Sequence, residues 1–226
     1  MKGIDRQHGP GSTRSRLPIT VSILRRLVDT VLGSSKPLVD KYMLQAAMLL
    51  AFHGCLRCAE FLAPADFNPL RHATRDDIKI DPKGLEFTLR TSKTDLYGKG
   101  TLIHIGYCEK PLCAPTALST YLRFSTGNAG DPLFRFRDGR HLTKSVFVEE
   151  VRHLLQAAAV PNVKEYQGHS FRIGAATSAA VAGVPEWQIR ALGRWRSDAV
   201  LCYIRANPAG MRKVASQVVN PNTLTQ

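Results

Sequence analysis

The chain reads as a mainly α-helical fold with one small three-stranded antiparallel β-sheet, an α+β arrangement. Three observations point there. Apolar residues recur at helical spacing up to about residue 62 and again from residue 114. Between Asp76 and Gly106 the period falls toward two, in short pieces separated by turn residues. Finally, 226 residues with 44% hydrophobic and 8% aromatic side chains suffice to bury one full core, which excludes disordered, collagen-like and disulfide-stapled classes.

Residues 1–18 combine glycine, proline and serine with Lys2, Arg6, Arg14 and Arg16, a composition that packs no core and predicts a basic arm or linker. Thr20 then sits where a helix N-cap belongs, ahead of Ile23, Leu27, Val28 and Val31, and Gly33-Ser34-Ser35 ends that helix. A second helix spans about Leu38–Phe52. Helical character resumes over Gly54–Leu62 and stops at Pro64. Three strands are expected at Ile78–Ile80, Leu85–Thr91 and Thr101–Ile105, joined by Asp81-Pro82-Lys83-Gly84 and Tyr97-Gly98-Lys99-Gly100. Helices return at Ala114–Phe124 and at Thr143–Ala158, where Val146, Phe147, Val151, Leu154 and Leu155 form one stripe. Further helices are expected at Ser170–Ala182, Pro185–Leu192 and Asp198–Ala206, and a short basic helix and polar tail after Pro208. The expected organisation is an arm at 1–18, a folded domain at 19–208 and a tail at 209–226. No internal repeat is present.

Lysine and arginine number 31 against 18 acidic residues, a formal charge of +13, so the expected partner is anionic, with a nucleic-acid backbone first. The longest apolar run, Met43 to Phe52, falls short of the ~18 residues that span a bilayer. The basic start MKGIDRQHGPGSTRSR has no apolar segment behind it, so an intracellular setting is expected, nuclear if the host is eukaryotic. Five cysteines, an odd number set mostly in apolar patterns, predict reduced thiols. Cys55 and Cys58 form a C-x-x-C, but Cys108 and Cys113 lack the spacing to complete a zinc site with them.

The residues suited to chemistry lie in the last third. Gly168-His169-Ser170-Phe171-Arg172 opens a helix, and His169 and Arg172, three apart, share a face. Helix amino termini suit phosphate oxygens. Gly193-Arg194-Trp195-Arg196-Ser197-Asp198 follows as a turn with an aromatic and two cations, and Tyr203 comes one or two helical turns later. Singly, each residue fits a structural role equally well; their joint spacing suits a phosphodiester.

With these residues the chain resembles the tyrosine recombinase (phage integrase) family. That family's site combines an arginine in a Leu-Arg-x-x-Glu box, a β-hairpin lysine, His-x-x-Arg, a His or Trp, and a nucleophilic tyrosine. Here Leu56-Arg57-Cys58-Ala59-Glu60 matches the first box, Thr91-Ser92-Lys93-Thr94 the hairpin lysine and His169-Ser170-Phe171-Arg172 the third box. Trp195 matches the His/Trp position and Tyr203-Ile204-Arg205 the nucleophile. Lys99 and Lys83 lie in or beside the same hairpin as Lys93. The phrase from Gly193 to Arg205 looks most like recombinases of eukaryotic DIRS-like and Crypton mobile elements. Trp195 lies eight residues before Tyr203, one fewer than in many members. The family usually carries an amino-terminal helical domain that clamps DNA, and from the short arm at 1–18 that clamp is expected to be absent.

The resemblance implies a DNA breakage and rejoining reaction through a 3′-phosphotyrosyl link, with no cofactor and no metal. It assigns Tyr203 the attack on phosphorus, and Arg57 and Arg172 the charge of the non-bridging oxygens, a task for two planar guanidinium forks. His169 then hydrogen-bonds the phosphate or accepts the tyrosine proton, Lys93 protonates the departing 5′-oxygen, Trp195 donates its indole N–H to a phosphate oxygen, and Glu60 orients the site through hydrogen bonds. Arg190, Arg194, Arg196 and Arg205 are expected to contact double-stranded DNA, on which the chain is expected to act as a dimer or tetramer, with the tail on a neighbouring subunit. Three other readings share these residues: a type IB topoisomerase, a domesticated DNA-binding module without turnover, and a basic scaffold that uses phosphate only as an anion.

Overall fold

A computed structural model describes residues 16–90 and 100–195 of the chain. The fold is mainly helical with one three-stranded sheet. Its helices are α1 (Val21–Gly33), α2 (Leu38–His53), α3 (Cys58–Phe61), α4 (Ala114–Phe124), α5 (Lys144–Ala157), α6 (His169–Val181) and α7 (Glu186–Leu192). The strands are β1 (Ile78–Asp81), β2 (Gly84–Leu89) and β3 (Thr101–Ile105).

At the centre stands α2, apolar on every side, with every residue from Met43 to Phe52 buried. It packs against α1, α4 and α6. The helices around it are one-sided instead: α1 buries Leu24, Leu27, Val28 and Val31, and α5 buries Phe147, Val151, Leu154 and Leu155. Two of the helix starts are capped as their sequences predict. Thr20 accepts from the N–H of Ile23 at 3.3 Å and Thr143 from that of Val146 at 3.4 Å.

The sheet runs β1-β2-β3, antiparallel throughout, with Ile78 opposite Phe87 and Phe87 opposite Ile103. Leu85, Phe87, Leu89, Ile103 and Ile105 share the face turned to the core, as the period of two requires. β2 ends at Leu89, short of the expected Thr91. Arg90 leaves the ladder because its Nε donates to both Asp77 carboxylate oxygens at 2.8 Å, Nη1 to the Pro69 carbonyl at 2.8 Å and Nη2 to Thr74 Oγ1 at 3.0 Å.

The stretch Gly54–Leu62 departs from the expected single helical run. Cys55 takes a left-handed backbone (φ 48°), which breaks the chain between α2 and a one-turn α3. Between α4 and α5 the chain makes an irregular excursion that buries Leu133, Phe134 and Leu142 and has no simple period in the sequence. Its anchor is Tyr121, whose hydroxyl accepts from the Arg135 N–H at 2.9 Å. The expected helix at Asp198–Ala206 and the tail lie outside the described residues.

Ahead of α1, the arm crosses α6 at contact distance. Ile19 donates its N–H to the Ser170 carbonyl at 3.0 Å, and a Cβ on Gly174 would lie 1.8 Å from the Ile19 carbonyl oxygen. No helix among the described residues is long and apolar enough to cross a membrane.

Candidate active site

The turn at Cys55 buries Leu56 and leaves Arg57 at the N-cap of α3 with extended backbone (φ −85°, ψ 146°). Glu60, one turn on, folds back onto it. The Arg57 N–H donates to Glu60 Oε2 at 2.8 Å and Arg57 Nη1 to Oε1 at 2.9 Å. Arg194 Nη2 also reaches Oε2, at 2.9 Å, from the far end of the fold. One carboxylate, only 6% exposed, thereby joins two guanidiniums. Arg194 is itself set by a left-handed backbone (φ 56°) just past α7, and Nη1 donates to the Gly54 carbonyl at 3.1 Å.

Arg172 lies behind this pair and is completely buried. Its Nη1 donates to the Cys55 carbonyl at 2.7 Å, its Nη2 to the Gly193 carbonyl, and Nε has no partner among the described residues. The Trp195 ring covers the guanidinium, with Cζ 4.4 Å from the ring centroid, a cation–π contact in a water-poor setting. Gly193 makes that contact possible, because a Cβ there would fall 1.8 Å from a Trp195 ring carbon. Burial, which disfavours the charged form, pulls the Arg172 guanidinium below its ordinary range, and Arg57 and Arg194 add to the effect. Three arginines around one carboxylate leave an excess of positive charge that an anion would relieve.

His169 opens α6 at the mouth of this cluster. Burial first, then the charges of Arg172, Arg16 and Arg57, push its pKa down to about 4, so the imidazole is neutral at pH 7 and able to accept a proton. Gly168 before it packs on Cys58: a Cβ there would lie 2.1 Å from the Cys58 sulfur. The thiols of Cys55 and Cys58 are both raised to about 11, chiefly by burial, which makes them packing groups rather than nucleophiles.

Arg57 and His169 open onto a pocket of about 900 Å³ shared with Arg16, Lys144 and Arg152, against one acid, Glu149. Lys144 and Arg152 are eight apart on the polar side of α5 and escaped the sequence reading. Their signal was available as cations opposite an apolar stripe, but nothing in the sequence says which solvent face borders a site.

The structure therefore brings Arg57, Glu60, His169, Arg172, Arg194 and Trp195 together. Arg194 lies inside the cluster on Glu60, and Arg190 lies on α7 with its Nη2 2.7 Å from Glu186. Lys93, Arg196, Tyr203 and Arg205 lie outside the described residues, although Arg90, three residues before Lys93, is anchored at the end of β2. Among the described residues no three His, Cys, Asp or Glu side chains gather as metal ligands.

No protein-family model matches the chain. It is similar to an integrase/recombinase xerD homolog of Selenomonas ruminantium, 28% identical over 211 residues, which cover 88% of this chain and 56% of the relative. The chain thus spans a little over half the length of that curated relative. Among solved structures it is similar to XerA recombinase (TM-score 0.60, 18% identity, 89% of this chain and 65% of the other). It is also similar to XerH site-specific recombinase bound to difH substrate in a pre-cleavage complex (0.65, 12%, 89% and 54%). A third likeness is to a lambda integrase dimer bound to a COC′ core site (0.61, 16%, 84% and 48%). The fold is that of tyrosine recombinase catalytic domains.

Proposed function

We propose that this chain carries the catalytic part of a tyrosine recombinase, which cuts and rejoins duplex DNA through a 3′-phosphotyrosyl intermediate. The observation that carries the reading is the convergence of Arg57, at the start of α3, and His169, at the start of α6, on one cationic pocket, with Arg172 of α6 buried behind it and Glu60 tying Arg57 to Arg194. A scissile phosphate there meets Arg57 at the pocket wall and the positive field of Arg172 and Arg194 behind it. That field stabilises the added charge of the pentacoordinate transition state. His169 hydrogen-bonds the phosphate or, once the phosphate charge offsets the cations that depress its basicity, takes the proton that Tyr203 loses on attack, and Lys93 supplies one to the departing 5′-oxygen. The phosphotyrosyl bond keeps the energy of the phosphodiester, so a second 5′-hydroxyl reverses the step and strand exchange follows.

Arg194 acts in this reading by setting Glu60, and through it Arg57. Lys144 and Arg152 extend the pocket along the DNA backbone, beside the contacts expected of Arg190, Arg196 and Arg205. Action as a dimer or tetramer follows from the need to exchange two duplexes. The run from Gly193 to Tyr203-Ile204-Arg205 supports a finer affinity with DIRS-like or Crypton elements, and with it residence in a nucleus.

Covalent trapping tests the proposal. Wild type and Tyr203→Phe are incubated with end-labelled nicked duplexes in EDTA and then denatured. The expected outcome is a protein–DNA adduct in wild type alone. Tight, salt-sensitive binding with no adduct on random duplexes or candidate element ends would instead identify a DNA-binding module without turnover.

A further inference from the structure

Away from the cationic pocket, the segment between β3 and α4 brings two thiols together. Cys113, buried at the start of α4, accepts from the Cys108 N–H at 3.5 Å and from Thr116 Oγ1 at 3.1 Å. Cys108 is exposed and donates its S–H to the Leu112 carbonyl at 3.6 Å. The segment between them is fixed rather than loose. Gln45 Nε2 donates to the Pro111 carbonyl at 3.1 Å, and His53 Nε2 lies 2.9 Å from the Leu112 carbonyl, both from the central helix.

The two thiols differ in character. Burial works against ionisation of Cys113, yet the donors from Cys108 and Thr116 outweigh it and hold this thiol below its ordinary range. Burial, then the neighbouring Cys113, raises Cys108 instead. One sulfur is thus exposed, and the other is covered and held by two donors. That division contrasts with Cys55 and Cys58, both buried and raised to about 11.

We propose that Cys108 and Cys113 are a reversible dithiol–disulfide site, at which exposed Cys108 captures a small-molecule disulfide and Cys113 resolves it. In the first step exposed Cys108 gives its proton to water, and its thiolate attacks one sulfur of the small disulfide, forming a mixed disulfide and releasing one small thiolate that takes up a proton. In the second, the Cys113 thiolate attacks the Cys108 sulfur of the mixed disulfide and the second small thiolate leaves. Two protein thiols lose two electrons, and one small disulfide becomes two thiols.

The test uses the full chain in mixtures of reduced and oxidised glutathione, quenched in acid, alkylated and read by intact mass and peptide mapping. Wild type is expected to lose two hydrogens at a Cys108–Cys113 link that dithiothreitol reverses, with Cys55 and Cys58 alkylated throughout. Cys113→Ser is expected to stop at the glutathione adduct of Cys108. Thr116→Val, which removes one donor and keeps the packing, should prolong that adduct severalfold. The proposal is overturned if wild type accumulates the Cys108 adduct to the same extent as Cys113→Ser, or if the link maps to another cysteine, Cys202 included.

Discussion

Glu60 shows how one residue sets a charge distribution. Its carboxylate holds Arg57 and Arg194 side by side at 2.9 Å each, where two like charges alone would repel, and it leaves the cluster positive once Arg172 is counted. His169 reports that excess, since its pKa is lowered to about 4 by burial and three cations. The shift implies a pH dependence of known sign. Below the ordinary pKa of 6.5 the unfolded chain binds a proton that folded His169 refuses, so the full stability seen above pH 6.5 declines as pH falls toward 4. At 1.36 kcal/mol per unit, and allowing for solvent screening, the loss is about 2 kcal/mol. Urea unfolding at pH 7 and pH 4.5 checks it: wild type should lose about that much more than His169→Gln. A bound phosphate reverses the field, so the imidazole titration followed by NMR should move upward when DNA is added.

At the scale of elements, α6 is seated by one close approach. The arm lies against α6 at Gly174, where an added Cβ would lie 1.8 Å from the Ile19 carbonyl oxygen, a backbone atom that cannot swing aside as a side chain can. Gly174→Ala should therefore lift the arm, break the Ile19–Ser170 bond and cost about 1–3 kcal/mol, with Tm lower by roughly 5 °C. Gly33→Ala, at the end of α1 with nothing within 4 Å of the new Cβ, should be neutral or slightly stabilising in the same thermal scan. Helices α1 and α5 and strands β2 and β3 were legible in the sequence because each keeps one period, as the α5 stripe and the β2–β3 alternation show. The break at Cys55 was not, because the left-handed backbone falls on the cysteine and not on the neighbouring Gly54. Arg57, His169 and Arg172 were legible as a spacing, whereas the bond between Glu60 and Arg194 spans 134 positions and belongs to tertiary packing alone. The cationic side of α5 was readable as polar but not as part of a site.

For the whole molecule, a formal charge of +13 raises the question of whether the proposed DNA binding would draw on a diffuse cloud or on one surface. The pocket concentrates Arg16, Arg57, Lys144 and Arg152 against Glu149, which favours one surface. The two alternatives differ in salt dependence. Each phosphate neutralised releases counterions, so log K falls with log [salt] by about 0.9 per contact. Replacing Lys144 and Arg152 together by alanine should reduce the magnitude of the slope by about 2 if each holds a phosphate. Lys83→Ala, which removes an exposed charge at the β1–β2 turn, should leave the slope unchanged. Fluorescence anisotropy on one duplex across a salt series measures all three. If charge were diffuse, each lysine would contribute alike and the Lys83 variant would shift the line about half as far as the double variant. An unchanged line for Lys83→Ala beside a shallower one for the α5 pair would place the DNA backbone along α5, with a phosphate within reach of Arg57 and His169.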